Sequence, residues 1–222
     1  VRTNEVETNG SAADTAAAAR IPMTPGARRV RDAAARLFYE RGIHAVGVDL
    51  IAAEAGVTKK TLYDRFGSKD RIVAEYLADR DDRWRTFLDE RLAATSTESA
   101  ARILAVFDAS RDWAREHSAR GCGMINAHAE ITDPAHPAYP VITRQKAWML
   151  RLFTGLTHEI APEAAEQRAR TLLLLHEGAL VTHGMGVFPD PLGHARGQAA
   201  ELLAMWGAST RPSGRGAPQE GR

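Results

Sequence analysis

Apolar side chains recur along this chain at intervals of three and four. Val30, Ala34, Leu37 and Phe38 form one stripe, and Ile72, Val73, Tyr76, Leu77, Trp84, Phe87 and Leu88 form a longer one. The pattern continues through Ile103, Leu104 and Phe107, then Trp148, Met149, Leu152, Phe153 and Leu156, then Leu172, Leu175, Ala179 and Leu180. Such spacing gathers apolar residues on one face of a helix, whereas a half-buried strand alternates with a period of two. Strand-like alternation and internal repeats are both absent, so an all-α fold is expected. Glycine, proline and short polar clusters mark breaks near Gly42, Gly56, Gly67, Thr95–Thr97, Gly121, Asp133–Pro140, Ala161–Pro162 and Pro189–Pro191, which divides the chain into about nine helices.

One segment departs from this background. Val57–Lys69, V-T-K-K-T-L-Y-D-R-F-G-S-K, holds three of the four lysines of the chain. Gly56 can end the preceding helical run, Asp49–Ala55, because glycine accepts a left-handed conformation without a Cβ penalty. Thr58 can then cap a new helix, placing Lys59, Lys60 and Thr61 in a first turn whose unpaired N–H groups attract anions. Leu62 and Phe66 are four apart and share the buried face, which leaves Lys59, Lys60 and Asp64 on the opposite side. A helix, a glycine turn and a second helix with an exposed polar face is a helix-turn-helix arrangement, whose second helix enters the major groove by its N-terminal end. Ser68 can cap the helix that follows, with Lys69 and Asp70 in its first turn.

Arg28–Arg71 resembles the DNA-binding domain of the TetR/AcrR family of bacterial transcriptional regulators. The resemblance rests on A-A-A-R-L-F at Ala33–Phe38, Gly42, L-I-A-A-E-A-G-V-T at Leu50–Thr58, T-L-Y at Thr61–Tyr63 and F-G-S-K-D at Phe66–Asp70. Gly47 stands where the family usually has a Ser or Thr that caps the second helix and touches a phosphate, and Lys60 replaces a frequent glycine. G-C-G-M-I-N-A-H-A-E at Gly121–Glu130 and D-P-A-H-P at Asp133–Pro137 look like a recurring branch of these regulators. The resemblance implies a three-helix reading head over residues 26–71 and a helical body over residues 72–208 for effector binding and dimerisation. It also implies a cytoplasmic repressor that holds a palindromic operator as a homodimer and is released by a small, largely apolar effector, without a cofactor or metal.

Within that frame, Lys60, Thr61 and Asp64 are expected to reach bases. Thr58 and Lys59 share the exposed side or first turn of the same helix as DNA contacts, while the Tyr63 hydroxyl and Lys69 are expected to serve the phosphate backbone. Arg20, Arg28 and Arg29 could lie along that backbone or reach a minor groove. The expected effector lining is Trp84, Phe87, Phe107, Met124, Asn126, Trp148, Leu152 and His176, apolar with a few polar groups. The last two long helices, expected over Glu163–Met185 and Leu192–Trp206, are candidates for the dimer interface. There Leu175, Leu180, Leu202 and Trp206 would supply buried area, and Gly178, Ala179 and Gly184 would permit close approach.

Charge divides the same way. Residues 28–71 carry ten Lys or Arg against six Asp or Glu, a balance of +4 in a chain whose total is +1. A basic module on a mildly acidic remainder suits one DNA-facing end. At 222 residues, 44% apolar and 26% charged, the composition is that of an ordinary globular protein. Cys122 is the only cysteine, so no intrachain disulfide forms and a reducing compartment is expected. Leu172–Phe188 is interrupted by His176, Glu177 and His183 and reads as a buried helix rather than a membrane span. Val1–Thr24 lacks the cationic start and apolar core of an export signal and is expected to be a disordered arm to residue 25, with a flexible tail over residues 209–222.

The competing chemistry is a helical enzyme or metal-responsive sensor built on Asn126, His128, Glu130 and His176, with His183 one further imidazole. Cys122 reads as a small apolar filler in preference to a nucleophile. Gly121–Gly123 lacks the third glycine and the preceding strand of a dinucleotide fingerprint.

Overall fold

The structure, a computed structural model, describes residues 20–117 and 119–209. Of the arm expected over residues 1–25 and the tail expected over residues 209–222, residues 1–19 and 210–222 lie outside the described residues. Among those described there are nine α-helices and no strand: α1 Pro25–Arg41, α2 Val48–Glu54, α3 Lys59–Phe66, α4 Lys69–Ala93, α5 Ser99–His117, α6 Gly123–Glu130, α7 Tyr139–Ile160, α8 Ala165–Met185 and α9 Pro191–Ser209. A single 3₁₀ turn at Pro162–Ala164 precedes α8. The expected helix from Glu163 therefore starts later, because Pro162 and the tight turn take up its first residues. No described helix is long and apolar enough to cross a membrane.

The chain forms two compact units. The first comprises residues up to Ala78 together with Glu130–Ile142, and the second comprises Asp79–Ala129 and everything from Thr143 onward. The first unit thus runs past residue 71, the boundary expected from the sequence. Ile72, Val73 and Leu77 are fully buried, and the Tyr76 ring lies 6.0 Å from that of Phe38, so the start of α4 belongs to the same core as α1.

Local chemistry explains the short helices of this unit. Thr24 accepts the Ala27 N–H at 3.3 Å ahead of Pro25, which needs no partner for its missing N–H. Gly47 precedes α2 and supplies no side-chain cap. The chain then turns at Gly56, whose φ of +61° is one that residues with a Cβ rarely adopt. Arg29 Nε donates to the Ala55 carbonyl at 3.2 Å, tying α1 to the carboxyl end of α2. Arg20 Nε and the Ile21 N–H both donate to the buried Glu75 carboxylate, at 2.8 and 3.0 Å.

The second unit is a helical body with Ile103, Phe107, Met149, Phe153, Leu172 and Leu192 fully buried. Removing such side chains from water contributes roughly 1.5–3 kcal/mol each. Helix α9 packs on α5 and α8, and Arg196 Nε donates to Asp108 at 2.7 Å across the α5–α9 seam. Gly184 is where backbone meets backbone: a Cβ there would stand 2.7 Å from the Arg120 carbonyl. The glycine expected to let two subunits approach instead lets α8 approach the α5–α6 connection within one chain.

Candidate nucleic-acid interface and cavity

Helix α3 begins as the anion-seeking reading requires. The Thr58 hydroxyl accepts the Thr61 N–H at 3.1 Å and lies 2.9 Å from the Thr61 hydroxyl. Leu62 and Phe66 are buried, so their shared stripe points into the unit and the opposite face is left to solvent. On that face Lys60 is 83% exposed and pairs with Asp64 at 2.7 Å, one turn on. Lys59 pairs with Asp49 of α2 at 2.9 Å, and this hydrogen bond raises the Lys59 ammonium above its ordinary pKa. Lys59 thus remains charged at neutral pH, and both lysines have exchangeable partners. Tyr63 is likewise exposed.

The next helix is capped too, since the Ser68 hydroxyl accepts the Arg71 N–H at 3.1 Å. Lys69 follows, with its ammonium 5.9 Å from the centre of the Phe38 ring. Arg28 and Arg29 are exposed on α1. Arg28 Nε donates to the Met23 carbonyl at 3.1 Å. Of the arm expected to follow DNA, Arg20 is instead drawn into the first unit, because Glu75 is a buried carboxylate that needs cationic and N–H partners.

The second unit contains a cavity of about 50 Å³, partly open to solvent. Three of the expected lining residues, Trp84, Met124 and His176, are on its wall. The others are placed elsewhere. Phe107 is fully buried behind His176, ring centres 5.7 Å apart. Phe87 packs on Trp113 at 5.3 Å. Trp148 lies under the Arg85 guanidinium at 4.1 Å. Leu152 packs against the core. Asn126 is exposed and donates to the Arg120 carbonyl at 2.9 Å, so its amide is not the buried group that was expected to await a ligand.

The wall is more polar than expected, since Arg80, Asp81, Ser110, Gln145 and Lys146 also line it. The sequence carried a signal for two of these. Gln145 lies four residues before Met149, and Ser110 three after Phe107, so each is a polar residue on an apolar helical register. A chain of contacts joins several of them. Ser110 Oγ and His176 Nε2 are 2.7 Å apart, His176 Nδ1 and Glu177 are 3.3 Å apart, and Lys146 Nζ donates to Glu177 at 2.6 Å. Lys146 also lies 3.4 Å from the Cys122 sulfur.

Burial alone would push the Glu177 carboxyl up, but the His176 hydrogen bond and the Lys146 ammonium outweigh it and hold it at about 2. Burial would likewise lower Lys146, yet Cys122 and Glu177 raise it. Asp81 differs: burial dominates over its Arg85 partner and its carboxyl is pushed up. Ser110, His176 and Glu177 have the order of a hydrolytic triad, but Ser110 sits within α5, where its N–H is committed to the helix ladder. The three form a chain of side-chain contacts at the cavity.

Apart from Tyr63, the large exposed apolar side chains lie on α8, on α9 or in the turn between them. Leu174, Val181 and Met185 fall with Gly178 on one face of α8, with Leu174 74% and Met185 72% exposed, and Met205 adds to them from α9. Of the expected interface residues, Leu175, Leu202 and Trp206 are half-buried and Gly178 is exposed. Ala179 and Leu180 face the chain's own core, and Leu180 lines the cavity.

Known proteins carry the same arrangement. The family model described as bacterial regulatory proteins of the tetR family matches residues 30–76, which span α2, α3 and most of the first unit. A TetR-family transcriptional regulator from Streptomyces coelicolor is similar over most of both molecules, with 30% identity, TM-score 0.73, and 84% of this chain and 90% of that one covered. This chain belongs to the TetR family of transcriptional regulators. Among characterised relatives, the transcriptional activator FasR of Mycolicibacterium smegmatis is 32% identical over 115 residues, 52% of each chain. The transcriptional repressor KstR2 of the same organism is 35% identical over 91 residues, 40% of this chain and 44% of that one. The matched stretch spans about half the length of these two curated relatives.

As a TetR-family protein the chain is a DNA-binding regulator and not an enzyme. The alternative polar centre is not assembled in the fold. His128 is exposed, Asn126 is engaged with Arg120, and Glu130 accepts the N–H groups of Ile43 and His44 in the first unit. His176 is buried in the second unit. Among the described residues no group of three or more His, Cys, Asp or Glu could hold a metal ion.

Proposed function

We propose that this TetR-family regulator binds a palindromic operator as a homodimer and represses transcription until a small molecule occupies the cavity of the second unit. The observation that carries the reading is α3 itself: a capped helix start followed by Lys60, Tyr63 and Asp64 on the face opposite Leu62 and Phe66. Lys60, Thr61 and Asp64 take the base edges. Thr58, Lys59, Tyr63 and Lys69 hold phosphates, with Arg28 and Arg29 beside them. Two such helices on one two-fold axis match half-sites a helical turn, about 34–36 Å, or a multiple apart.

The outer face of α8 with Met205 of α9 supports the homodimer, because exposed apolar residues at helical spacing gain most from a second copy of the same face. The cavity supports ligand control, with His176 and Met124 among its contacts. A ligand acts by binding one conformation better than another, and coupling of this kind weakens operator binding by roughly 5–150-fold. Repression needs only that the operator be occupied, whereas activation needs a further surface for the transcription machinery. Relatives of both kinds exist, an activator and a repressor.

Sequencing the genomic fragments retained by the purified protein tests the reading. A shared inverted repeat, bound with steep salt dependence, is expected. Retention of no fragment at low salt, or of fragments without two-fold symmetry, overturns it.

A further inference from the structure

The cavity of the second unit has buried acceptors to spare. Gln145 is only 6% exposed, and its Oε1 has no hydrogen-bond partner. The same holds for Asp81 Oδ1, whose sister oxygen takes the Arg85 Nε at 3.0 Å. Native proteins leave few buried polar atoms unpaired, and a ligand is one way of pairing them. Three donors of the wall already have partners: Lys146 Nζ with Glu177, the His176 ring with Ser110, and Arg80 Nη2 with the His117 carbonyl at 3.3 Å.

The charges narrow the choice. Arg80, Arg85 and Lys146 stand against Asp81 and Glu177, so a ligand ammonium meets a site that already has more cations than carboxylates. Of the two cations on the wall, Lys146 is already paired with Glu177, and Arg80 Nη2 is held by the His117 carbonyl. The remaining wall is aromatic and apolar, with the Trp84 and Trp113 indoles edge to face at 5.7 Å and Met124 and Leu180 beside them.

We propose that this cavity selects uncharged ring compounds carrying a hydroxyl or N–H donor, with the ring against Trp84 and Trp113 and the donor on Gln145 Oε1. The proposal rests on the effector reading given above and assigns the chemical class of the effector. Its distinguishing feature is that the protein accepts and the ligand donates.

Calorimetric titration of the full chain with four naphthalenes tests it: 2-naphthol, 2-methoxynaphthalene, 2-naphthoate and 2-naphthylmethylammonium. The expected result is that 2-naphthol binds at least about tenfold more tightly than its methyl ether, the worth of one hydrogen bond to a buried acceptor. Both charged compounds should bind more weakly than 2-naphthol. In Gln145→Leu the naphthol-to-ether ratio should fall to within about twofold. Gln145→Met, unbranched like glutamine, repeats the measurement should the leucine variant melt early.

Equal affinity for the ether, tighter binding of either ion, an unchanged ratio in both variants, or binding of none of the four overturns the proposal. If an ion binds and releases DNA, the effector reading stands and the donor class fails. If 2-naphthol binds with the expected ratio and leaves the DNA complex intact, the donor site stands and effector control fails.

Discussion

Glu130, the last residue of α6, accepts the backbone N–H of His44 at 2.8 Å and that of Ile43 at 3.0 Å, while His44 Nε2 lies 2.9 Å from the Glu130 carbonyl oxygen. One carboxylate thus holds the turn that joins α1 to α2, 86 residues earlier in the chain. Ile43 is buried, so water cannot fully replace the lost acceptor. Glu130→Ala should lower stability by about 2–3 kcal/mol, the range for charge-assisted bonds and an orphaned buried donor. Urea unfolding measures it, and Glu130→Gln, which keeps an acceptor, should recover part of the loss. A midpoint unchanged in Glu130→Ala would mean that the turn holds itself.

Lys60 and Lys69 should differ in kind. Lys60 projects from the exposed face of α3 and pairs with Asp64, so Lys60→Ala should change base preference at a cost of about 1–3 kcal/mol. Lys69 opens α4 beside Phe38, and Lys69→Ala should weaken all sequences alike and shallow the salt dependence by about one phosphate contact. Titrations of operator variants at several salt concentrations separate the two effects. Uniform weakening by Lys60→Ala would remove it from base reading.

Val181 tests the dimer surface. It is exposed on the α8 face shared by Leu174, Gly178 and Met185, and Val181→Glu puts two like charges near the two-fold axis of an isologous interface. Light scattering at micromolar concentration should show the unsubstituted chain as a dimer and the variant shifted towards monomer, with thermal melting of the body little changed. A variant that remains fully dimeric would place the interface elsewhere.

Glu177 should make stability pH-dependent on the acid side. Its carboxyl is held at about 2 in the folded chain against an ordinary 4.5, so its contribution is fully present above about pH 4.5 and is lost as pH falls towards 2. The difference corresponds to roughly 3 kcal/mol. Melting curves from pH 7 to 2 should therefore fall more steeply between pH 4.5 and 2 for the unsubstituted chain than for Glu177→Gln, which has no proton to gain there. Parallel curves would show that Glu177 is not held low by Lys146 and His176.

Periodicity and caps determined much of this protein in advance. The all-helical class, the breaks at Gly42, Gly56 and Gly67, the Thr58 and Ser68 caps and the inward stripe of Leu62 and Phe66 depend on contacts within a turn or two, which neighbouring residues settle among themselves. Which long-range partner a polar side chain finds was decided only in the tertiary structure. Arg20 turned inward to Glu75, Gly184 met the Arg120 backbone, and Asn126 stayed at the surface while Gln145 was buried with an unpaired oxygen. A helical register tells which face of a helix is apolar. It does not tell which other helix that face will meet, and the wall of a cavity is made where residues from several helices converge.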